Sequence, residues 1–216
     1  ILREAFAMGA DRAIHLNDRK FAGADTLATS NAIAGALRVL DFDLVITGRQ
    51  AIDGDTAQVG PQVAEKLALP QVTYAEEIQG CDGKIVTIKR RLERGIEVAT
   101  CPMPCVVTVN GSAAPCRPRN ARFVMKYKNA KGTQEAQDAN EDYFALVNER
   151  PYLKLTEWSV NDIQSNPTDL GLSGSPTKVK NIESVVFQAK EAKVLSGTDA
   201  ELDAMMKELI TNLTIG

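Results

Sequence analysis

The sequence predicts an α/β domain of the doubly wound type, with a mostly parallel sheet, an antiparallel extension and a C-terminal arm. Three observations carry that reading. Apolar positions recur alternately at helical and at strand spacing through residues 1–67. Asp43 to Thr47 (DLVIT) is apolar and β-branched with no polar alternation, the pattern of a strand covered on both faces. Beyond Pro70 the helical period gives way to short β-rich runs in series.

Leu2, Ala5, Phe6 and Met8 fall on one face of an opening helix that Gly9 stops. Ile1 stands inside that pattern without a preceding Met, so the sequence reads as a fragment missing its start. Arg12 to Leu16 (RAIHL) is a strand candidate, followed by a polar loop from Asn17 to Gly23. From Asp25 to Leu40 the positions Leu27, Ile33, Ala34, Leu37 and Leu40 have helical spacing, with Asp25 or Thr26 able to cap the start. After DLVIT comes GRQAIDGDTAQVGP, Gly48 to Pro61, leading into a helix to about Leu67 that Leu69-Pro70 ends.

The runs VTYAEEI, KIVTIKRRLE, GIEVAT and CVVTVN then read as strands, the middle two joined as a hairpin near Arg94-Gly95. Ala113 to Gly132 is proline-interrupted and basic, and Lys131 to Asn140 has the polarity of a mobile loop. Beyond it lie a strand-like VKNIESVVFQ and a final helix from about Asp199 to Thr211. The boundaries expected are a nucleotide-binding domain over 1–127, a variable insertion over 128–152 and an arm over 153–216 that packs on a partner subunit.

A formal charge of -3 and a pI near 5.4 exclude the dense basic surface that nucleic acid requires. No apolar run approaches the roughly 20 residues of a membrane span, and the first residues lack a secretory pattern, so no membrane insertion is expected. Cys81, Cys101, Cys105 and Cys116 are too sparse for a disulfide framework and fit free thiols in the cytoplasm. Cys101-Pro-Met-Pro-Cys105 lacks CxxC spacing, so no metal is expected there. His15, the one histidine, reads as a strand packing residue, and no catalytic constellation assembles around it. Arg90, Arg91, Arg94, Arg117, Arg119 and Arg122 read as solvated cations that could also meet phosphates or acids.

The stretch that carries chemistry is Gly48, Arg49, Gln50, Ala51, Ile52, Asp53, Gly54, Asp55, Thr56, Ala57, Gln58 and Val59, between a strand's carboxyl end and a helix. Ligands bind there in open α/β sheets. Gly48 and Gly54 permit close backbone approach, and Thr56, Ala57 and Gln58 would present free amides suited to a phosphate. Asp53 and Asp55 would repel an anion unless they shape the loop or read sugar hydroxyls. Asp-Gly-Asp-Thr serves equally well as a plain N-capping turn. The loop is neither GxGxxG nor GxxxxGK[ST], which excludes the dinucleotide fingerprint and the P-loop.

DLVITGRQAIDGDTAQVGPQVAEKLALPQVTYAEEI resembles the beta subunit of electron-transferring flavoproteins, including FixA-like relatives. AMGADRAIHL and LGLSGSPTKV share the resemblance, which covers most of the chain except about 128–152. It implies an adenine-nucleotide-binding fold in which Gly48 through Val59 hold either AMP or, in electron-bifurcating members, a second FAD. IDGDTAQVGP, with Gly54 and the pair Thr56-Ala57, is similar to the bifurcating and FixA-type form, which favours FAD. The family also draws on an earlier strand and loop that would precede Ile1.

Further implications are an alpha subunit, NADH as electron donor, a flavin-dependent dehydrogenase and ferredoxin or flavodoxin as acceptor, with no catalytic side chain in this subunit. Where relatives serving acyl-CoA dehydrogenases carry an exposed leucine before a Met-Lys pair, the register from Met125-Lys126 places Ala121 among arginines. That departure favours another dehydrogenase, such as a 2-hydroxy-acid type.

Overall fold

The computed structural model describes residues 1–137, 141–179, 192 and 194–211. They divide into two compact units, residues 1–178 and 179–216. The first is mixed α/β. Its main sheet contains β2 (Leu44–Gly48), β6 (Cys105–Val109), β3 (Gln71–Cys81), β4 (Ile85–Leu92) and β5 (Gly95–Pro102), in that spatial order. β2, β6 and β3 run parallel, whereas β3, β4 and β5 form the antiparallel extension. β1 (Ile14–Leu16) pairs in parallel with β7 (Thr156–Trp158) in a second, two-stranded sheet.

Local chemistry explains the turns. Asp82 Oδ1 accepts from the amides of Lys84 (2.8 Å) and Ile85 (2.7 Å), folding β3 back onto β4 as an Asx turn. The β4–β5 hairpin closes over Glu93 and Arg94, since Leu92 pairs with Gly95. β6 lies between β2 and β3 and is buried from Cys105 to Thr108, so its apolar run is that of a strand covered on both faces. One face of the sheet gathers Val72, Ala75, Val86, Ile88, Cys101, Cys105 and Val107; on the other, Val45 and Val106 meet Ala64 of α3 (Val59–Lys66).

Helix α2 (Thr26–Leu37) begins at Asp25, whose side chain accepts from the Ala28 amide at 3.0 Å. Its Ala28, Ser30, Ala32, Ala34, Gly35 and Ala36 are all buried. A Cβ on Gly35 would stand 2.0 Å from Ser165 Oγ, so this helix is small-sided because chain packs directly onto it. A third cluster joins α1 (Leu2–Ala7), α4 (Ala121–Tyr127) and α6 (Glu141–Glu149) around Ala130, Leu153 and Leu155, with Phe6 stacked on Tyr127 at 4.5 Å.

Several expectations change. β1 does not enter the main sheet; its partner β7 has no periodic signal in three residues, and only tertiary packing supplies it. Among the described residues β2 pairs with β6 alone, and Ile46 is 58% exposed rather than covered on both faces. The expected mobile loop after Lys131 contains a bridge from Lys131 to Lys154 and helix α5 (Thr133–Gln137). Residues 153–178, placed with the arm by the sequence, pack in the first unit: Val160, Ile163 and Leu170 join Ala32 and Ala36 in one buried cluster. VKNIESVVFQ lies outside the described residues apart from Val179. In the second unit the final helix, α7 (Asp199–Thr211), has the expected bounds, and the Ser196 amide donates to Glu201 at 2.9 Å.

Ile88 is fully buried, so Ile88→Ala is expected to cost about 2–5 kcal/mol, read as a lowered denaturation midpoint with an unchanged m-value.

Candidate functional site

β2 ends at Gly48 opposite Val109, the end of its parallel neighbour β6, so two carboxyl ends share one rim. The loop from Arg49 to Gln58 rises from that rim and returns as α3. Gly60 lets α3 descend so close: a Cβ there would stand 2.7 Å from Thr108 Cγ2 and 2.8 Å from Thr47 Oγ1. The Thr47 hydroxyl is buried and, among the described residues, has no hydrogen-bond partner.

Within the loop the Asp55 amide donates to Ala51 O at 3.0 Å, and Gln50 Nε2 donates to Asp55 Oδ1. Asp55 and Ala57 have φ of +51° and +53°, a backbone region that side chains other than glycine enter at a cost of about 1–3 kcal/mol. Such strain concentrates where backbone must face a ligand. The amides of Thr56, Ala57, Gln58, Val59 and Gly60 have no protein acceptor among the described residues, and Gln58, the N-cap of α3, makes no side-chain cap bond. The capping explanation of Asp-Gly-Asp-Thr therefore fails: neither carboxylate nor Thr56 caps α3, and Asp55 is bound to Gln50.

Unpartnered amides at a helix start beside two positive-φ residues are a backbone arrangement that can receive an anion; Thr56 and Gln58 are exposed, Ala57 and Val59 half-buried and Gly60 buried. Gly48 and Gly54 have open space where a Cβ would stand. Ile52 is 99% exposed, and Arg49, Ala51, Asp53 and Thr56 are exposed as well. The stretch contains one cation against two acids, so backbone dipoles rather than net charge would hold a phosphate.

A second wall was not legible in the sequence. Thr26 Oγ1, at the start of α2, donates to Gln58 Oε1 at 2.9 Å, and among the described residues Gln58 Nε2 has no hydrogen-bond acceptor. Asp25, one residue earlier, accepts from the amide (3.1 Å) and hydroxyl (2.7 Å) of Thr177, and its own amide donates to Ser175 Oγ at 2.9 Å. Burial pushes the Asp25 carboxyl up, but the bonds from Ala28 and Thr177 outweigh it and hold the group below its ordinary value. LGLSGSPTKV, prominent in the sequence only by resemblance, is thus stitched to α2; no spacing rule joins residue 175 to residue 25.

Next to the rim, Arg91 Nε meets Glu76 Oε1 at 2.5 Å, and Ser112 donates to the same carboxylate, which Arg91 and then Ser112 hold below the usual carboxylate range. Arg90 pairs with Glu97 at 2.7 Å and Arg119 with Glu4 at 3.1 Å, so these arginines hold acids of their own chain. His15 is exposed, 3.4 Å from Glu157, rather than a packing residue, because β1 lies outside the main sheet. Cys101 and Cys105 are buried, and burial pushes the Cys105 thiol up to about 11. Among the described residues no group of three or more His, Cys, Asp or Glu could hold a metal, and no helix is long and apolar enough to cross a membrane. Two cavities, of about 420 and 340 Å³, lie away from the loop, lined in part by Arg3, His15 and Glu157 and by Lys131, Tyr143 and Phe144.

The fold and rim define an α/β domain with an anion-ready loop at the carboxyl end of a parallel strand. Residues 1–141 match the Electron transfer flavoprotein domain, and the chain belongs to that family. It is 38% identical over 96% of its length to an electron transfer flavoprotein subunit beta of Clostridium acetobutylicum. It is 42% identical over 83% to the caffeyl-CoA reductase-Etf complex subunit CarD of Acetobacterium woodii, and 35% identical over 97% to the protein FixA of Rhizobium meliloti. The chain spans 68%, 60% and 66% of the lengths of these relatives.

Because the folded Asp25 value is depressed, its contribution to stability is present above the ordinary value of 3.8 and is lost as pH falls through the lower folded value. The stability difference between wild type and Asp25→Asn is expected to hold at pH 6 and to shrink below pH 4 in urea titrations. A difference independent of pH would remove the ionised cap.

Proposed function

We propose that this chain is the beta-type subunit of a two-flavin electron transfer flavoprotein and that Gly48 to Val59 hold an FAD. The observation that carries the reading is the row of five unpartnered amides from Thr56 to Gly60 at the start of α3. The amides take a phosphate of the nucleotide. Thr56 and Gln58 add side-chain donors, and Gln50 keeps Asp55 turned from the anion. Arg49 supplies the loop's one cation, and Asp53 is free to read a ribose hydroxyl. A helix start contributes about 0.3–1 kcal/mol to such an anion, so the strained loop matters chiefly by aiming donors.

Bound FAD would supply the redox chemistry, accepting electrons from NADH and passing them toward a partner flavin dehydrogenase and toward ferredoxin or flavodoxin. The side chains of this subunit bind and orient, with no bond-making role, and an alpha subunit completes the assembly in the cytoplasm. The beta-subunit, FixA and reductase-complex names of the relatives support this reading, as does the IDGDTAQVGP form of the loop. The same donors fit AMP, in which case the subunit is a scaffold for a single FAD held by the alpha subunit.

Counting nucleotides released by acid from the complete heterodimer decides between these roles. Two FAD and no AMP are expected; one FAD with one AMP would leave a scaffold. In the same assay Thr56→Ala together with Gln58→Ala is expected to weaken retention of that nucleotide about tenfold or more.

A further inference from the structure

We propose that Thr26 is a positioning residue for the nucleotide site, setting the Gln58 amide for the phosphate, and that the strap 170–177 holds Thr26 in place through Asp25. The proposal rests on the reading of Gly48 to Val59 as a nucleotide loop. It adds to that loop an element more than a hundred residues away in sequence.

The geometry begins at Gln58. Its primary amide has one acceptor and two donor hydrogens, and a half-turn about the last torsion exchanges them. Beside an anion only the orientation with Nε2 outward is productive. Thr26 Oγ1 lies 2.9 Å from Gln58 Oε1 and can donate to it, which favours that orientation. Thr26 opens α2, so no earlier helical turn offers its hydroxyl a carbonyl, and among the described residues Gln58 is its hydrogen-bond partner.

Thr26 is only as fixed as the start of α2, and the strap fixes it. Asp25 is tied on both sides: Oδ1 accepts from the Ala28 amide and its carbonyl from the Thr29 amide within α2, while Oδ2 accepts from the amide and hydroxyl of Thr177 and its own amide donates to Ser175 Oγ in the strap. Ser175 is buried and donates onward to Gly171 O at 2.7 Å. Gly171 has φ of +53°, and a Cβ there would stand 2.1 Å from Lys20 O, so the strap follows the segment before α2 at backbone contact. Leu170, 1% exposed, anchors its start among Ala32, Ala36, Val160 and Ile163. Two consecutive residues thus divide the work: Asp25 is held by the strap and Thr26 holds the loop.

A structural role alone would make Thr26 and Thr177 matter equally with or without Gln58. A positioning role makes their effect on binding pass through Gln58. The test uses the complete protein with its partner subunit, stripped of nucleotide and titrated with ADP by calorimetry. Thr26→Val, which keeps shape and removes the hydroxyl, is expected to weaken ADP about three- to tenfold, and Thr26→Ser to restore it to within about twofold. Thr177→Val is expected to weaken ADP in the same direction and to speed amide exchange over residues 56–60 without ligand. In a Gln58→Ala background, Thr26→Val is expected to have no further effect.

Wild-type ADP binding with unchanged affinity in Thr26→Val and Thr177→Val overturns the proposal and leaves the nucleotide loop standing. An undiminished Thr26→Val effect in the Gln58→Ala background also overturns it. If wild type takes up neither ADP nor AMP, the loop reading itself falls and the proposal with it. Should Thr26→Val fail to fold, Thr177→Val and its exchange rates decide the matter alone.

Discussion

The buried positions of helix α2 are alanines, a serine and a glycine, and its close packing is the constraint on which the rest of the first unit depends. Small side chains bury little apolar area, so the helix is held by close approach and by polar bonds rather than by large hydrophobes. Gly35 O accepts from the Gln164 amide, Asn31 O from Ser165 and Lys66 O from Arg38, while Asn31 donates to Asp169 O. These bonds bind α2 to α3 on one side and to residues 164–170 on the other. A side chain at Gly35 would meet Ser165 Oγ and Gln164 O and push residues 164–165 off the helix.

That placement gives the rim its character. The loop from Gly48 to Val59 is acidic on balance, yet among the described residues the backbone amides from Thr56 to Gly60, where α3 starts, have no protein acceptor. Local dipoles of fixed direction can suit an anion better than mobile side-chain charge, because their orientation is set before a ligand arrives. Asp55 and Ala57 in that loop have positive φ, and Gly60 lets the helix start lie against Thr47 and Thr108. The loop lies within residues 1–141, the part of the chain that matches the Electron transfer flavoprotein domain.

Much of the fold was legible because it is local. Asp25 as an N-cap, the hairpin over Glu93 and Arg94, the end of α3 before Pro70 and the span of α7 are each decided within a few residues by capping, turn chemistry or proline. The candidate loop was legible as a strand-to-helix connection, but the capping alternative was equally good until the structure showed Gln58 uncapped and Asp55 held by Gln50. Ile46 and His15 were misjudged for one reason: a strand's residue types do not say whether it lies at the centre or the edge of a sheet, or in which sheet.

By itself the sequence determined the types of the elements from α2 to β6 and, through its motifs, the family, since propensity, periodicity and motif spacing act over short range. Only the tertiary structure decided that β1 leaves the main sheet for β7, that residues 153–178 return to cover α2, and that Thr177 and Ser175 meet Asp25. Those contacts join residues about 140–150 apart, where a hydroxyl, an amide and a carboxylate find one another because apolar burial has already brought their segments together. Neighbouring residues leave no trace of such a pairing, and the second wall of the site is built from it.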